Sequence, residues 1–166
     1  MSVIRVDTGA GRLSFGTLVM PCTIGRSGPC AASDKREGDG CTPLGLWPLR
    51  GVLLRRGRVD ARAIALPWRW IGAQDGWSDD PADPAYNRPV RLPRATSAES
   101  LNREDGAYDV IVVLGHNDAP PVPGHGSAIF FHLSEQRPTA GCVAIERGDM
   151  LRLLPLLAPG DAMAIA

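Results

Sequence analysis

Fifteen prolines and nineteen glycines interrupt the chain every few residues, and this punctuation limits the fold more than any other feature. Proline removes a backbone donor and collides with the preceding helical turn, so long helices do not survive such spacing. Short strands joined by turns do. The expected fold class is mainly β: one β-rich domain over residues 1–166, with mixed or antiparallel sheets and one or two short helices.

Strand-forming residues fall between the breaks. Ser2 to Val6, Arg12 to Phe15 and Thr17 to Ile24 read as strands, separated at Gly9-Ala10-Gly11 and Gly16. Leu46 to Leu54 is another, with Pro48 suggesting an edge or a bend. The clearest are Tyr108 to Leu114 and Ser127 to Leu133, apolar, β-branched or aromatic, and bounded by glycines. Gly141 to Ile145 and Asp161 to Ala166 complete the set. Ser97 to Asp105 reads as a helix capped by Thr96 or Ser97. Met150, Leu151, Leu154 and Leu157 repeat at helical spacing up to a break at Pro155. From Trp68 to Pro93 the chain looks like a long irregular loop, rich in Trp, Tyr and Arg. Long ordered loops often carry function.

Length and charge narrow the function. A chain of 166 residues is long enough for one domain with a real core. Eighteen basic and eighteen acidic residues cancel, and no basic stretch interleaves with aromatics, so nucleic acid is not an expected partner. The apolar runs Val110 to Leu114 and Ala128 to Leu133 are too short to span a membrane as helices. Met1 to Asp7 has none of the marks of a signal peptide, which gives a cytoplasmic expectation. For a cytosolic protein, Cys22, Cys30, Cys41 and Cys142 are expected to be free thiols; a disulfide among the first three would go with export. No Cys or His spacing suits zinc. Neither a metal nor another cofactor is expected.

His132 and Cys142 carry the strongest chemical signal. One ends a strand, the other begins the next, and a polar loop joins them. Adjacent strand ends would bring imidazole and thiol together, and a thiol needs such a base because the thiolate is the nucleophile. Gly141 permits a tight turn, so that the amides of Ala140, Gly141 and Cys142 could face an oxyanion. The carbonyl of Leu133 is a candidate to orient the base. Spacing alone still favours the plainer reading, since a cysteine at a strand start is more often a small core residue.

The surrounding residues change that weighting. His132 followed by Thr139-Ala140-Gly141-Cys142-Val143 resembles the signature of the L,D-transpeptidase catalytic-domain (YkuD-type) family. That signature is a His, a variable loop, then Ser/Thr-x-Gly-Cys and an aliphatic residue. A second match, Thr42-Pro43-Leu44-Gly45 followed by Leu46-Trp47, resembles the family's Thr-Pro-x-Gly segment ahead of an aromatic. The resemblance implies an L,D-transpeptidase-like β fold and cysteine-dependent acyl transfer on peptidoglycan stem peptides or muropeptides, with no cofactor. Carried over by position, Cys142 is the nucleophile, His132 the base, Gly141 part of the oxyanion hole, and Thr139 a brace for the loop. The chain departs from the pattern at Ala140, where the family has His, and at Ala144, where it has Arg or Asn. Its His-to-Cys interval is also short. These changes mark a divergent branch in which another arginine takes the substrate carboxylate.

Arg88 in the long loop is the first candidate, because guanidinium suits bidentate carboxylate recognition. His116 and Asn117, after the strand ending at Leu114, are further candidates to line the cleft. Asp79, Asp80 and Asp83 could receive the amine of a diamino acid, or simply make loop turns. His125 reads as a surface turn residue. Inside the cytoplasm, with water abundant, the expected reaction is L,D-carboxypeptidation, the trimming of a terminal D-Ala. An exported transpeptidase is the alternative. A non-catalytic peptidoglycan-binding module and a cysteine redox sensor are the readings from other classes. Oligomeric state is not readable from the sequence.

Overall fold

The computed structural model describes residues 1–166. In chain order the elements are β1 (Val3–Asp7), β2 (Arg12–Phe15), β3 (Leu18–Pro21), β4 (Pro29–Cys30), β5 (Thr42–Pro43), β6 (Gly45–Leu54), β7 (Trp68–Trp70) and β8 (Asp75–Ser78). Then come β9 (Pro89–Arg91), β10 (Ala98–Ser100), β11 (Val110–Leu114), β12 (Phe130–Leu133), β13 (Val143–Ile145), α1 (Arg147–Leu153) and β14 (Ala162–Ile165). A single 3-10 turn, Leu154–Leu156, follows α1. The expectation of a mainly β fold holds.

The main sheet runs β13-β12-β11-β6-β14-β1-β2-β3, with β7 added alongside β6. Both its ends meet. Thr23, just past β3, exchanges backbone hydrogen bonds of 2.8 and 2.9 Å with Ala144 of β13. The sheet therefore curls on itself and encloses one face.

Strand alternation sends side chains to two cores. Val110, Val112, Leu114, Phe131, Leu133, Val143 and Ile145 point inward, where Met150 and Leu153 of α1 pack with them. The opposite face carries Ile111, Phe130 and Cys142, covered by Trp77, Tyr108 and Leu101. This second core lies beneath a small sheet of order β10-β8-β9, and it is the one that holds the chemically interesting residues.

Several expectations need correction. Ser97 to Asp105 is not helical: Ala98–Ser100 is a strand whose residues pair with β8, Glu99 lying opposite Trp77. Leu101 is fully buried and its amide bonds to the Asp75 carbonyl. Tertiary pairing here overrides weak helix propensity. The stretch after Trp68 is not one irregular loop either, since it contains β7, β8 and β9. Pro48 sits on an interior strand, but at a bend. Gly45 to Pro48 pair with β14, whereas the following residues pair with β11 through a register shift near Leu49.

The cysteine expectation also changes. β4 and β5 pair in parallel, Cys30 opposite Pro43, which sets the Cα atoms of Cys30 and Cys41 5.8 Å apart in a disulfide. That separation lies within ordinary disulfide geometry. Cys22 and Cys142 are free. In the chain-entropy view, closing a loop of this length stabilises the fold by about 3 kcal/mol.

Candidate active site

Cys142 and His132 project from the same face of the sheet. β12 and β13 pair in parallel with His132 opposite Ala144, so Cys142, two residues earlier, is its diagonal neighbour. Side chains two residues apart along a strand leave the sheet on one face, so imidazole and thiol share that face. Both line one cavity of 540 Å³. His132 is 4% exposed and Cys142 7%, so the cavity reaches them only at its floor.

The His132 ring is fixed from below. Its Nδ1 lies 2.8 Å from the Leu133 carbonyl oxygen, a contact that assigns the proton to Nδ1 and leaves Nε2 as an acceptor. Tyr108 packs edge-on against the imidazole, ring centres 5.2 Å apart. Burial lowers the His132 pKa below the usual histidine range, the Leu133 hydrogen bond opposing it. The ring is neutral at physiological pH.

Cys142 is held as a neutral thiol. Its Sγ donates to the Ala128 carbonyl at 3.2 Å and accepts from the Phe130 amide at 3.3 Å. Burial, then the nearby Glu99 charge, pushes the thiol pKa up to about 12. No hydrogen bond joins Sγ to His132 in this arrangement. The thiol must turn away from Ala128 before the imidazole can take its proton. Catalytic hydrogen bonds are often unformed before substrate arrives.

Gly141 is required by its surroundings. Its φ of 140° disfavours an L side chain, and an added Cβ would lie 2.8 Å from the Cys41 carbonyl oxygen. Thr139 braces the same turn: its hydroxyl donates to the Cys142 carbonyl at 2.6 Å and accepts the Gly141 amide at 3.1 Å. The Gly141 amide is thereby committed, and the amides of Ala140 and Cys142 remain free to meet an oxyanion.

The two distant sequence matches meet at this turn. Thr42 Oγ1 donates to the Gly141 carbonyl at 2.8 Å and accepts the Gly25 amide at 2.8 Å. Thr42 is completely buried. Replacing it with valine keeps the shape and strands one donor and one acceptor, each costing about 1–3 kcal/mol. Thr42→Val is expected to lower stability by about 3 kcal/mol in urea titration and to reduce turnover, because the carbonyl it grips precedes Cys142.

The other sequence candidates lie elsewhere. Arg88 donates to the Asp118 carbonyl at 2.7 Å and lines a separate, smaller cleft with Arg50 and Pro89. Asn117 ties its own loop, donating to the carbonyls of Val122 and Gly126. His116 is 5% exposed, packs edge-on against Trp47 at 4.8 Å, and has its pKa lowered to about 4 by burial and then by Lys35. None of the three lines the cavity. Asp80 caps Ala82, and Asp83 is saturated by Ser78, Ala85, Thr96 and Arg94; Asp79 alone of that trio faces the cavity.

The walls are built by residues that spacing did not single out. Lys35 and Glu37 lie between the two disulfide cysteines and Arg26 just before them, Glu99 and Arg103 come from the β10 region, and Tyr108 and Ser127 precede the central strands β11 and β12. Asn87 holds them from behind. Its Oδ1 accepts the Trp77 indole at 2.8 Å and the Ala128 amide at 3.1 Å, while its Nδ2 donates to the carbonyls of His116 and Asn117. The only early hint was the polar density of the loop around Asn87.

Comparison with solved structures gives three L,D-transpeptidases. L,D-transpeptidase 1 of Mycobacterium tuberculosis is 14% identical, with 99% of this chain and 58% of that chain covered and a TM-score of 0.46. L,D-transpeptidase 3 of the same organism is 12% identical, with 99% and 60% covered and a TM-score of 0.47. An L,D-transpeptidase from Mycobacterium smegmatis is 14% identical, with 99% and 58% covered and a TM-score of 0.43. This chain thus spans about three fifths of the length of the solved structures it matches. No protein of curated function matches it. The profile of the L,D-transpeptidase catalytic domain, YkuD, matches residues 2–165, nearly the whole chain, and the chain belongs to that family.

Proposed function

We propose that this chain performs cysteine-dependent acyl transfer at an L,D-peptide bond of peptidoglycan stem peptides. One observation carries the reading. Cys142 and His132 open on a single cavity, and the Leu133 carbonyl holds the imidazole with Nε2 as the acceptor. Nε2 removes the thiol proton as Sγ attacks the carbonyl of the L-residue. The amides of Ala140 and Cys142 receive the oxyanion. Collapse breaks the C–N bond, and His132 returns the proton to the departing amine of the D-amino acid. A thioester on Cys142 remains, which water or an amine then opens as His132 takes the proton of the incoming group.

The sequence expectation of L,D-carboxypeptidation rests on a cytoplasmic setting. The Cys30–Cys41 disulfide favours an oxidising compartment, where wall amines compete with water, so it supports transpeptidation as the second outcome of the same intermediate. Mass spectrometry of muropeptides incubated with the enzyme, with and without an added D-amino acid, separates the two. Loss of D-Ala alone means hydrolysis, and exchange means transfer. No change in any muropeptide contradicts acyl transfer and favours a binding module.

A further inference from the structure

We propose that the Cys30–Cys41 disulfide is a positioning element of the acyl-transfer site, and that a dithiol which opens the bond lowers turnover in a chain that stays folded. The proposal rests on the reading of Cys142 as the nucleophile and adds how that site is regulated.

The bond clasps two strips that together grip the turn before Cys142. One strip runs from Ile24 to Cys30, the other from Gly40 to Pro43. On the first, the Arg26 amide donates to the Thr139 carbonyl at 2.9 Å, and the Ile24 carbonyl accepts the Thr139 amide at 2.9 Å. On the second, the Thr42 hydroxyl donates to the Gly141 carbonyl at 2.8 Å. The neighbouring Cys41 carbonyl oxygen leaves no room for a side chain at Gly141.

The span between the two cysteines also belongs to the site. Lys35, Glu37 and Gly38 line the cavity together with Cys142. Lys35 is only 2% exposed and is paired with Asp39, whose carboxylate accepts the Cys41 amide at 2.9 Å. One covalent ring therefore contains part of the cavity wall and adjoins the turn that presents the Ala140 and Cys142 amides. Misplacing such a constellation by about 1 Å costs up to about 10²-fold in rate.

The bond is reachable, and the fold does not depend on it alone. Cys30 is partly exposed, whereas Cys41 is buried. The thiolate of a dithiol attacks Cys30 Sγ, the S–S bond breaks, and Cys41 leaves as a thiolate that takes up a proton. The second thiolate of the reagent then displaces Cys30, which is protonated in turn. The reagent departs as a disulfide, having given the protein two electrons. Neither hydrophobic core draws a residue from positions 30 to 40. Backbone bonds of 2.9 Å from Thr42 to Gly28 and from Leu44 to Cys30 still hold the strips together. The chain is thus slow where thiols are kept reduced and active where the bond forms.

The test uses the full chain. A chelator is present throughout, because Asp39 lies within 4.8 Å of both sulfurs and thiolates beside a carboxylate bind zinc. kcat/KM for a stem tetrapeptide is measured on the oxidised protein, after dithiothreitol, and after reoxidation with oxidised glutathione. Opening the bond is expected to lower it about tenfold and closing it to restore it, with melting curves showing every form folded at the assay temperature. The double variant Cys30→Ser/Cys41→Ser should be equally slow and indifferent to dithiothreitol. Two readouts need no turnover. In the reduced protein, trypsin should cut faster after Arg36, and iodoacetamide should label Cys142 several-fold faster. Unchanged turnover on reduction, a double variant as fast as the oxidised protein, or a loss that merely follows the unfolded fraction would overturn the proposal. If no form consumes the peptide, the acyl-transfer reading fails and the labelling decides alone. Equal Cys142 rates with the bond open and closed then remove the positioning role; a faster rate with the bond open upholds it.

Discussion

His132→Ala is expected to lower kcat/KM for a stem tetrapeptide by about 10³-fold or more, in line with the loss of a positioned general base. The large effect follows from the state of the thiol. Burial and the Glu99 charge push the Cys142 pKa up to about 12, so almost no thiolate exists at neutral pH without a base. The same reasoning fixes the pH profile. The His132 pKa lies below the usual 6.5, and the neutral ring is the active form. Activity should hold at pH 6.5 and fall only as the pH drops through that lowered pKa. Steady-state rates between pH 4 and 8 check this. An acid limb centred above 6.5 would mean that His132 is stabilised as the cation, and the neutral-dyad account would fail.

Asn87→Ala is expected to be the most damaging change outside the dyad. The side chain is 4% exposed and makes four hydrogen bonds, to the Trp77 indole, the Ala128 amide and the carbonyls of His116 and Asn117. Alanine leaves two buried donors without partners and opens a void. At about 1–3 kcal/mol for each stranded group, the loss should reach about 4 kcal/mol, near the extreme for a single substitution. Chemical unfolding measures it. The change should also reach Cys142, because Ala128, held at a φ of 52° by this network, supplies the carbonyl that the thiol bonds. Faster alkylation of Cys142 in a still-folded Asn87→Ala protein is the expected signature.

The parts of this molecule that the sequence made legible are those with local signals. Glycine-bounded apolar runs mark β11 and β12. The spacing of Met150, Leu154 and Leu157 against Pro155 marks the one helix and its 3-10 ending. His132, Gly141, Thr139 and Cys142 lie in one short segment, so a motif can carry them. The rest depends on partners distant in the chain. Ala98 to Ser100 forms a strand because β8 lies beside it, which no propensity of those three residues announces. The disulfide depends on the parallel pairing of two very short strands. Arg88 looked suited to a carboxylate by chemistry alone, yet its loop delivers it to the Asp118 carbonyl instead. Glu37, Asp79 and Glu99 come from three separate segments and share a cavity only after the small sheet packs over the large one.

The central claim is that Cys142 carries the acyl group. Intact-mass spectrometry of the enzyme, quenched in acid within its first turnovers of a stem tetrapeptide, tests it most directly. The account predicts an adduct equal to the peptide less its terminal D-amino acid, located on the Cys142 peptide and absent from Cys142→Ser. An unmodified protein that nonetheless consumes the peptide, or an adduct that persists in Cys142→Ser, would contradict it.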